Sequence, residues 1–263
     1  MGNPGIAQGR LSVLPTDLLY SPVAAAEELY NVIASRYDVT RSSVDIGSEP
    51  LEVLLVRDTN KLLEQVSPVL FAEDERLPYW ADLWTSAIDL AAWVAEGQNL
   101  AGRRLLELGT GLGLAGIAAA RSGASVTLTD YETDALLFAR YNALSNLSEE
   151  IVRQRVRCVP VDWRAPDIGG KFDVIIGADI VYDRKNFDPI LTLLQSHLAP
   201  GGGALLTEPD RAIGQAFLAA ARDYPFTVET GYSPVVRDGK MYRITRIMMR
   251  HGKTGTARPR HHP

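Results

Sequence analysis

Apolar and polar positions alternate along this chain with two different periods. From about Val23 to Arg36 the apolar residues fall at 23, 26, 29, 30 and 33, the spacing of one face of a helix. Ser43 to Ile46 and Leu51 to Val56 then read as two short strands around the turn-forming Gly47-Ser48-Glu49-Pro50, with a short helix from about Asn60 to Val66. From Arg103 onward the pattern becomes strand, helix, strand, helix. Strands are expected at Arg104 to Leu108, Ser125 to Thr129, Val156 to Val161, Phe172 to Ala178 and Ala204 to Thr207. Helices are expected up to about Ser122, over Thr133 to Asn146, over Phe187 to Leu198 and over Ile213 to Arg222. The run Phe172 to Ala178 is continuously apolar, as a strand buried on both faces would be. Pro200-Gly201-Gly202-Gly203 reads as a turn. Two last strands, Phe226 to Glu229 and Tyr242 to Met249, have too short a link for a helical crossover and are expected to pair antiparallel.

Alternation of this kind predicts an α/β fold: a Rossmann-like, seven-stranded, mostly parallel sheet with helices on both faces and a terminal antiparallel pair. Residues 1–75 are expected to form a small N-terminal α+β extension, a helix plus a short hairpin, packed on a main domain over 76–250. Residues 251–263, polar and rich in Gly, Pro and His, read as a disordered basic tail.

Composition narrows the setting. Of 263 residues, 46% are hydrophobic and 22% charged, ordinary globular values. A single cysteine, Cys158, excludes an internal disulfide; it lies in an apolar run and reads as a small core residue. No leader, myristoylation pattern or membrane-spanning stretch is read at the N-terminus or elsewhere, so a cytoplasmic monomer is expected. The net charge is −5, but unevenly spread: Arg237 to Pro263 carries eight Lys or Arg against Asp238 alone, leaving 19 basic and 31 acidic residues in the rest. An acidic body suits a cationic substrate and disfavours nucleic acid.

Chemistry concentrates at the predicted strand ends, where open parallel sheets bind ligands. After Glu107 and Leu108 comes Gly109-Thr110-Gly111-Leu112-Gly113, which lets backbone approach a ligand at a helix start. Asp130 ends the next strand 19 residues after Gly111 and offers two acceptor oxygens to a ribose. Gly111-x-Gly113-x-x-Gly116 also fits the dinucleotide fingerprint, so an NAD(P) cofactor and S-adenosylmethionine (SAM) both suit this geometry. Three features favour SAM. Glu107 would oppose a pyrophosphate and suit a methionine ammonium. Asp162 and Trp163 follow the third strand, where an acid can accept from an adenine amino group and an indole can cover the ring. The Pro-Gly-Gly turn and the antiparallel pair suit a methyltransferase sheet. Asp179 and Tyr182 lie beyond the fourth strand, where a carboxylate can orient an amine and an aromatic can wall its pocket. Their plain alternatives are a helix cap and a core tyrosine. For Trp80 the core reading is the stronger, and for Trp84 the core and ligand readings stand level. His197 is placed at a helix C-terminus, where it suits the dipole. No spacing of His, Cys or Asp reads as a metal site.

Residues from about Ser43 to Met249 resemble the family 16 seven-strand methyltransferases, a group that includes protein-lysine methyltransferases. The resemblance rests on Leu77-Pro78-Tyr79-Trp80-Ala81-Asp82-Leu83-Trp84, on Leu106 to Gly113, on Asp162-Trp163 and on Ala178-Asp179-Ile180-Val181-Tyr182. Thr85 stands where members commonly carry Pro. The resemblance implies SAM as cofactor and S-adenosylhomocysteine as product. It implies cofactor contacts from Trp84, the backbone of Gly109, Thr110 and Gly111, Asp130, Trp163 and Ala178. It implies substrate binding by Asp179 and Tyr182, with a protein lysine as acceptor. A small-molecule acceptor on the same fold and an NAD(P)-dependent oxidoreductase are the alternatives.

Overall fold

The structure is a computed structural model that describes residues 26–64, 77–97 and 99–252. Residues 253–263, where the basic tail is expected, lie outside the described residues, as do the first residues of the expected N-terminal helix.

Helix α1 (Ala26–Ala34) precedes strands β1 (Val39–Ile46) and β2 (Glu49–Val56), which pair antiparallel as a separate two-stranded sheet, and a short helix α2 (Thr59–Glu64). Strand β1 starts earlier than its polar residues predict, because every position from Val39 has a partner on β2. A 3-10 turn (Tyr79–Ala81) leads to α3 (Thr85–Gly97). The Trp84 carbonyl accepts from the N–H groups of Ala87 and Ile88, so Thr85 is the first helical residue. Proline is favoured there because the N–H of that position has no helical partner, so threonine in its place leaves the helix start intact.

The main sheet has the order β5-β4-β3-β6-β7-β9-β8. Its strands are β3 (Arg104–Leu108), β4 (Ser125–Asp130), β5 (Val156–Pro160), β6 (Phe172–Ala178), β7 (Leu198–Glu208), β8 (Phe226–Arg237) and β9 (Lys240–His251). Strands β3 to β7 run parallel, and β9 pairs antiparallel with both β7 and β8. Helices α4 (Leu114–Arg121), α5 (Thr133–Asn146), α6 (Glu149–Arg155), α7 (Phe187–His197) and α8 (Ala212–Ala220) connect them. This is the expected α/β sheet with its terminal antiparallel pair.

Two local expectations change. The Pro-Gly-Gly-Gly turn lies inside β7, where Gly203 pairs with Val174 after a register irregularity. A Cβ at Gly202 would stand 2.8 Å from the Asp173 carbonyl oxygen, so the glycines allow β7 to press against β6 rather than turn away. The last two strands are each 12 residues long and form one hairpin closed at Asp238-Gly239. Helix α6 is an addition, capped by the Ser148 hydroxyl, which accepts from the Ile151 N–H.

Adjacent residues on a strand face opposite sides, and the core divides accordingly. Leu105, Ile176 and Leu205 join α1, the β1–β2 hairpin, α3, α4 and α5 on one face. Leu106, Ile175 and Leu206 join α7 and Phe217 of α8 on the other. Buried Asp89 on α3 accepts two 2.8 Å hydrogen bonds from Arg246, which ties β9 to the first face. Cys158 is buried, and burial pushes its thiol up to about 12, as for an inert core residue.

Candidate active site

Chain order moves outward from β3 to β4 and β5, then returns to β6 and β7. The reversal lies between β3 and β6, and a cleft of about 830 Å³ opens at the carboxyl ends of the strands there. Every residue assigned from the sequence to cofactor or substrate lines it: Trp84, Glu107, Gly109, Thr110, Gly111, Asp130, Asp162, Trp163, Ala178, Asp179 and Tyr182.

The glycine loop is shaped by its neighbours. Gly109, Gly111 and Gly113 all have positive φ (61°, 51° and 86°), a region that L side chains rarely adopt. A Cβ on Gly109 would stand 3.0 Å from Ile180 Cγ2 and 3.2 Å from Trp163 Cζ2, so the loop passes between those two side chains. The turn is held by Glu107, whose Oε2 accepts from the Thr110 hydroxyl (2.6 Å) and from the Gly116 N–H at the start of α4 (3.1 Å). Glu107 is 3% exposed, and burial pushes its carboxyl up to about 7 against the pull of those two donors. Asp130 accepts from the Gly111 N–H through one oxygen and from the Glu132 N–H through the other, both at 3.0 Å. Burial raises it to about 6. Trp163 lines the cleft, and its Nε1 is buried without a hydrogen-bond partner. Asp162 accepts from the Arg164 guanidinium (2.8 Å), which also lies over the Tyr131 ring.

The Asp179 side chain lines the same cleft from the end of β6. Its backbone is left-handed (φ 54°) and pinned by an N–H bond to the Thr207 carbonyl. Such a conformation in a non-glycine residue is stored strain of the sort that collects at functional sites. The carboxylate is ion-paired with Arg211, which begins the loop into α8. Neither a helix cap nor a core tyrosine is found here: Asp179 caps nothing, and Tyr182 is 46% exposed. Protein around the cleft mouth still raises the Tyr182 hydroxyl, against a hydrogen bond with Asn186. Tyr182 meets Tyr79 edge to face at 5.8 Å, and Tyr79 meets Trp84 at 6.1 Å, so three aromatics form one wall. Trp84 donates from Nε1 to the Tyr79 carbonyl (2.7 Å). Trp80 packs on Phe138 and Tyr37, as the core reading expects, and also reaches the cleft.

Sequence reasoning gave no role to Tyr79, Arg211 or Asn142. Arg211 follows β7 by three residues, a strand-end position that could have marked it. Asn142 is fully buried on α5; its side chain donates to the Leu54 and Leu112 carbonyls and accepts from the Leu54 N–H, joining the hairpin to the glycine loop. Nothing in its local pattern separates it from a solvated asparagine.

A parallel sheet reversed at its last strands, with a glycine loop and an acid at consecutive strand ends, defines the Rossmann-like methyltransferase fold. Ribosomal protein L11 methylase from Lactobacillus delbrueckii subsp. bulgaricus shares it, with a TM-score of 0.55 and 20% identity, covering 81% of this chain and all of that one. The chain belongs to the lysine methyltransferase family, whose model matches residues 66–219. It is 39% identical over 139 residues to protein N-lysine methyltransferase METTL21A of Danio rerio, a stretch covering 50% of this chain and 61% of that protein. It is 33% identical over 141 residues to EEF1A lysine methyltransferase 3 of Mus musculus, covering 52% and 59%. The chain thus spans about three fifths of the length of these curated relatives. Among the described residues no helix is long and apolar enough to cross a membrane.

Proposed function

We propose that this protein is a SAM-dependent N-methyltransferase acting on a lysine side chain of a protein substrate in the cytoplasm. The observation that carries the reading is one cleft that brings two chemically distinct sets of residues together. One set is the glycine loop, Glu107, Asp130 and Trp163; the other is Asp179, Tyr182 and Tyr79. Family membership supports the acceptor class.

The residues fit the cofactor. The cleft's volume falls in the range of small-molecule sites. Close backbone approach at Gly109 and Gly111, where a Cβ would meet neighbouring atoms, gives the cofactor a cradle. The unpartnered Trp163 Nε1 can donate to a bound group. Asp130 retains acceptor capacity for ribose hydroxyls beyond its backbone donors Gly111, Tyr131 and Glu132. Asp162, beside Trp163, offers an acceptor to the adenine, Ala178 lines the cleft from the end of β6, and Glu107, bonded to Thr110, offers a carboxylate to the methionine ammonium. When bound, SAM supplies a methyl group on a sulfonium, open to in-line displacement by a nucleophile. The chain's own work is then positioning. Asp179 accepts a hydrogen bond from the acceptor nitrogen and aims its lone pair. Tyr182, Tyr79 and Trp84 enclose the alkyl stem and exclude water.

Calorimetric titration with S-adenosylhomocysteine tests the cofactor half, and stabilisation by NADH instead would overturn it. Tritiated SAM added to cell extract tests the acceptor half: labelled protein bands support it, and label confined to small metabolites replaces the acceptor with a small molecule. Asp179→Asn is expected to keep S-adenosylhomocysteine affinity and lose labelling by about a hundredfold.

A further inference from the structure

Asp179 does not face the cleft alone. Its side chain is 9% exposed, with both carboxylate oxygens buried, and its charge is met by Arg211, whose side chain is 41% exposed and lines the same cleft. Arg211 is held in place by its backbone, since its N–H donates to Glu208 Oε2 at 2.9 Å and the helix α8 starts immediately after it. A guanidinium therefore stands where an incoming lysine ammonium would be expected to pair.

A carboxylate by itself would be a poor partner for the proposed reaction. An opposite charge within about 4–6 Å favours the charged form of an amine, by about 1–3 pKa units. The nitrogen must instead offer a lone pair. A guanidinium beside the carboxylate removes that bias without removing the acceptor oxygens, because arginine stays charged throughout the useful pH range. We propose that Arg211 is a positioning residue that makes the Asp179 site select an amine as its free base. The inference rests on the proposed methyl transfer to an amine.

Of the other ionisable groups lining the cleft, Asp82 pairs with Arg237, Asp162 pairs with Arg164, Glu132 flanks Asp130 and Arg184 follows Asp183, while the ion pair of Asp179 is with Arg211. Tyr182 is raised by burial, so it stays neutral near pH 7. Tyr79 joins it in the aromatic wall. Lys185 and Asp183, from the same loop as Tyr182, lie 3.3 Å from each other and offset one another. Glu208 sits beneath the Arg211 backbone, and burial raises its carboxyl. Glu107 and Asp130 are engaged by the glycine loop, Glu107 with Thr110 and Gly116 and Asp130 with Gly111, and Asp130 also acts on the Tyr182 hydroxyl, raising it.

The test uses n-butylamine as a stand-in for the lysine side chain, titrated by ligand-observed NMR against the full chain saturated with S-adenosylhomocysteine, from pH 7 to 10. In the wild type, affinity is expected to rise about tenfold per pH unit up to the amine's pKa, as only the free base binds. Arg211→Gln is expected to bind n-butylammonium at pH 7 at least tenfold more tightly and to lose the rise. Arg211→Lys, which keeps the charge, is expected to restore it. Equal affinities and equal pH profiles in wild type and Arg211→Gln overturn the inference, as does no butylamine binding by either protein. S-adenosylhomocysteine affinity, measured first for each variant, separates the outcomes: its loss in the wild type defeats the functional reading, and its loss only in a variant marks misfolding, leaving the wild-type pH profile to decide.

Discussion

Glu107 and Asp130 are both more than nine-tenths buried at the ends of β3 and β4, and burial holds them near 7 and 6. A carboxyl whose folded pKa is raised stabilises the fold below its unfolded value, and that contribution is lost as pH rises through the folded value. For these two residues the free protein is therefore expected to lose stability between about pH 4 and 7. A bound methionine ammonium and ribose favour the charged carboxylates, so cofactor binding should release protons in the same window. S-adenosylhomocysteine affinity is expected to increase from about pH 5 to 7, by up to about tenfold per pH unit for each group while it is still protonated in the free protein. Calorimetry in two buffers of different ionisation enthalpy counts the protons, and Glu107→Gln should flatten most of the slope. Gly116 makes a second prediction at this scale. A Cβ there would stand 2.2 Å from Leu128 Cδ2 and 2.5 Å from Glu107 Oε2. Gly116→Ala is expected to cost about 1–3 kcal/mol by overpacking, seen in thermal melts, despite the better helix propensity of alanine.

Asn142 and Asn146 sit one turn apart on α5, and both bond the backbone of β2, Asn142 at Leu54 and Asn146 at Glu52. Their surroundings differ. Asn142→Ala would leave the Leu54 N–H and the Leu112 carbonyl unpaired in a dry interior, an expected loss of about 2–4 kcal/mol. Asn146→Ala exposes its partners to water and is expected to cost about 1 kcal/mol or less. Urea denaturation of the two variants measures the difference, and cofactor affinity should fall with Asn142→Ala alone, because that side chain also anchors the loop at Leu112. These contacts bear on what was legible in the chain. Strand-helix alternation was visible because each element is short and its apolar period unmixed, and strand ends then located the glycine loop, Asp130, Asp162, Trp163, Asp179 and Tyr182. The β8–β9 hairpin was underestimated because an edge strand mixes polar residues with Gly231 and Pro234, so half of its ladder leaves no apolar trace. Asn142 and Arg211 stayed hidden because their meaning comes from partners 30 or more residues away.

The whole molecule depends on the layer that lies ahead of most of the family match. Leu29 and Ile33 of α1, Val44 and Ile46 of β1, and Leu51, Val53, Leu54 and Val56 of β2 are all buried in the same cluster as α3, α4 and α5. Burying such side chains stabilises by about 1.5–3 kcal/mol each, and eight of them together exceed the net stability of about 5–15 kcal/mol typical of a domain. Part of that burial is internal to the hairpin and would survive its removal. The rest covers the face of α5, where Arg36 and Tyr37 also bond to Asp134 (2.9 and 2.8 Å) and Tyr37 packs on Trp80 and Phe138. Trp80 in turn backs the glycine loop, since a Cβ at Gly111 would lie 3.2 Å from its carbonyl oxygen. Removing the layer thus strips α5 of cover and the loop of its support at once. A chain beginning at Leu77 is expected to aggregate or to lack a cooperative thermal transition, and to bind S-adenosylhomocysteine at least a hundredfold more weakly than the full chain. Circular dichroism, gel filtration and calorimetry measure these in turn. Cooperative melting with undiminished cofactor affinity in the shortened chain would instead make the sheet from β3 onward self-sufficient and the hairpin an accessory surface.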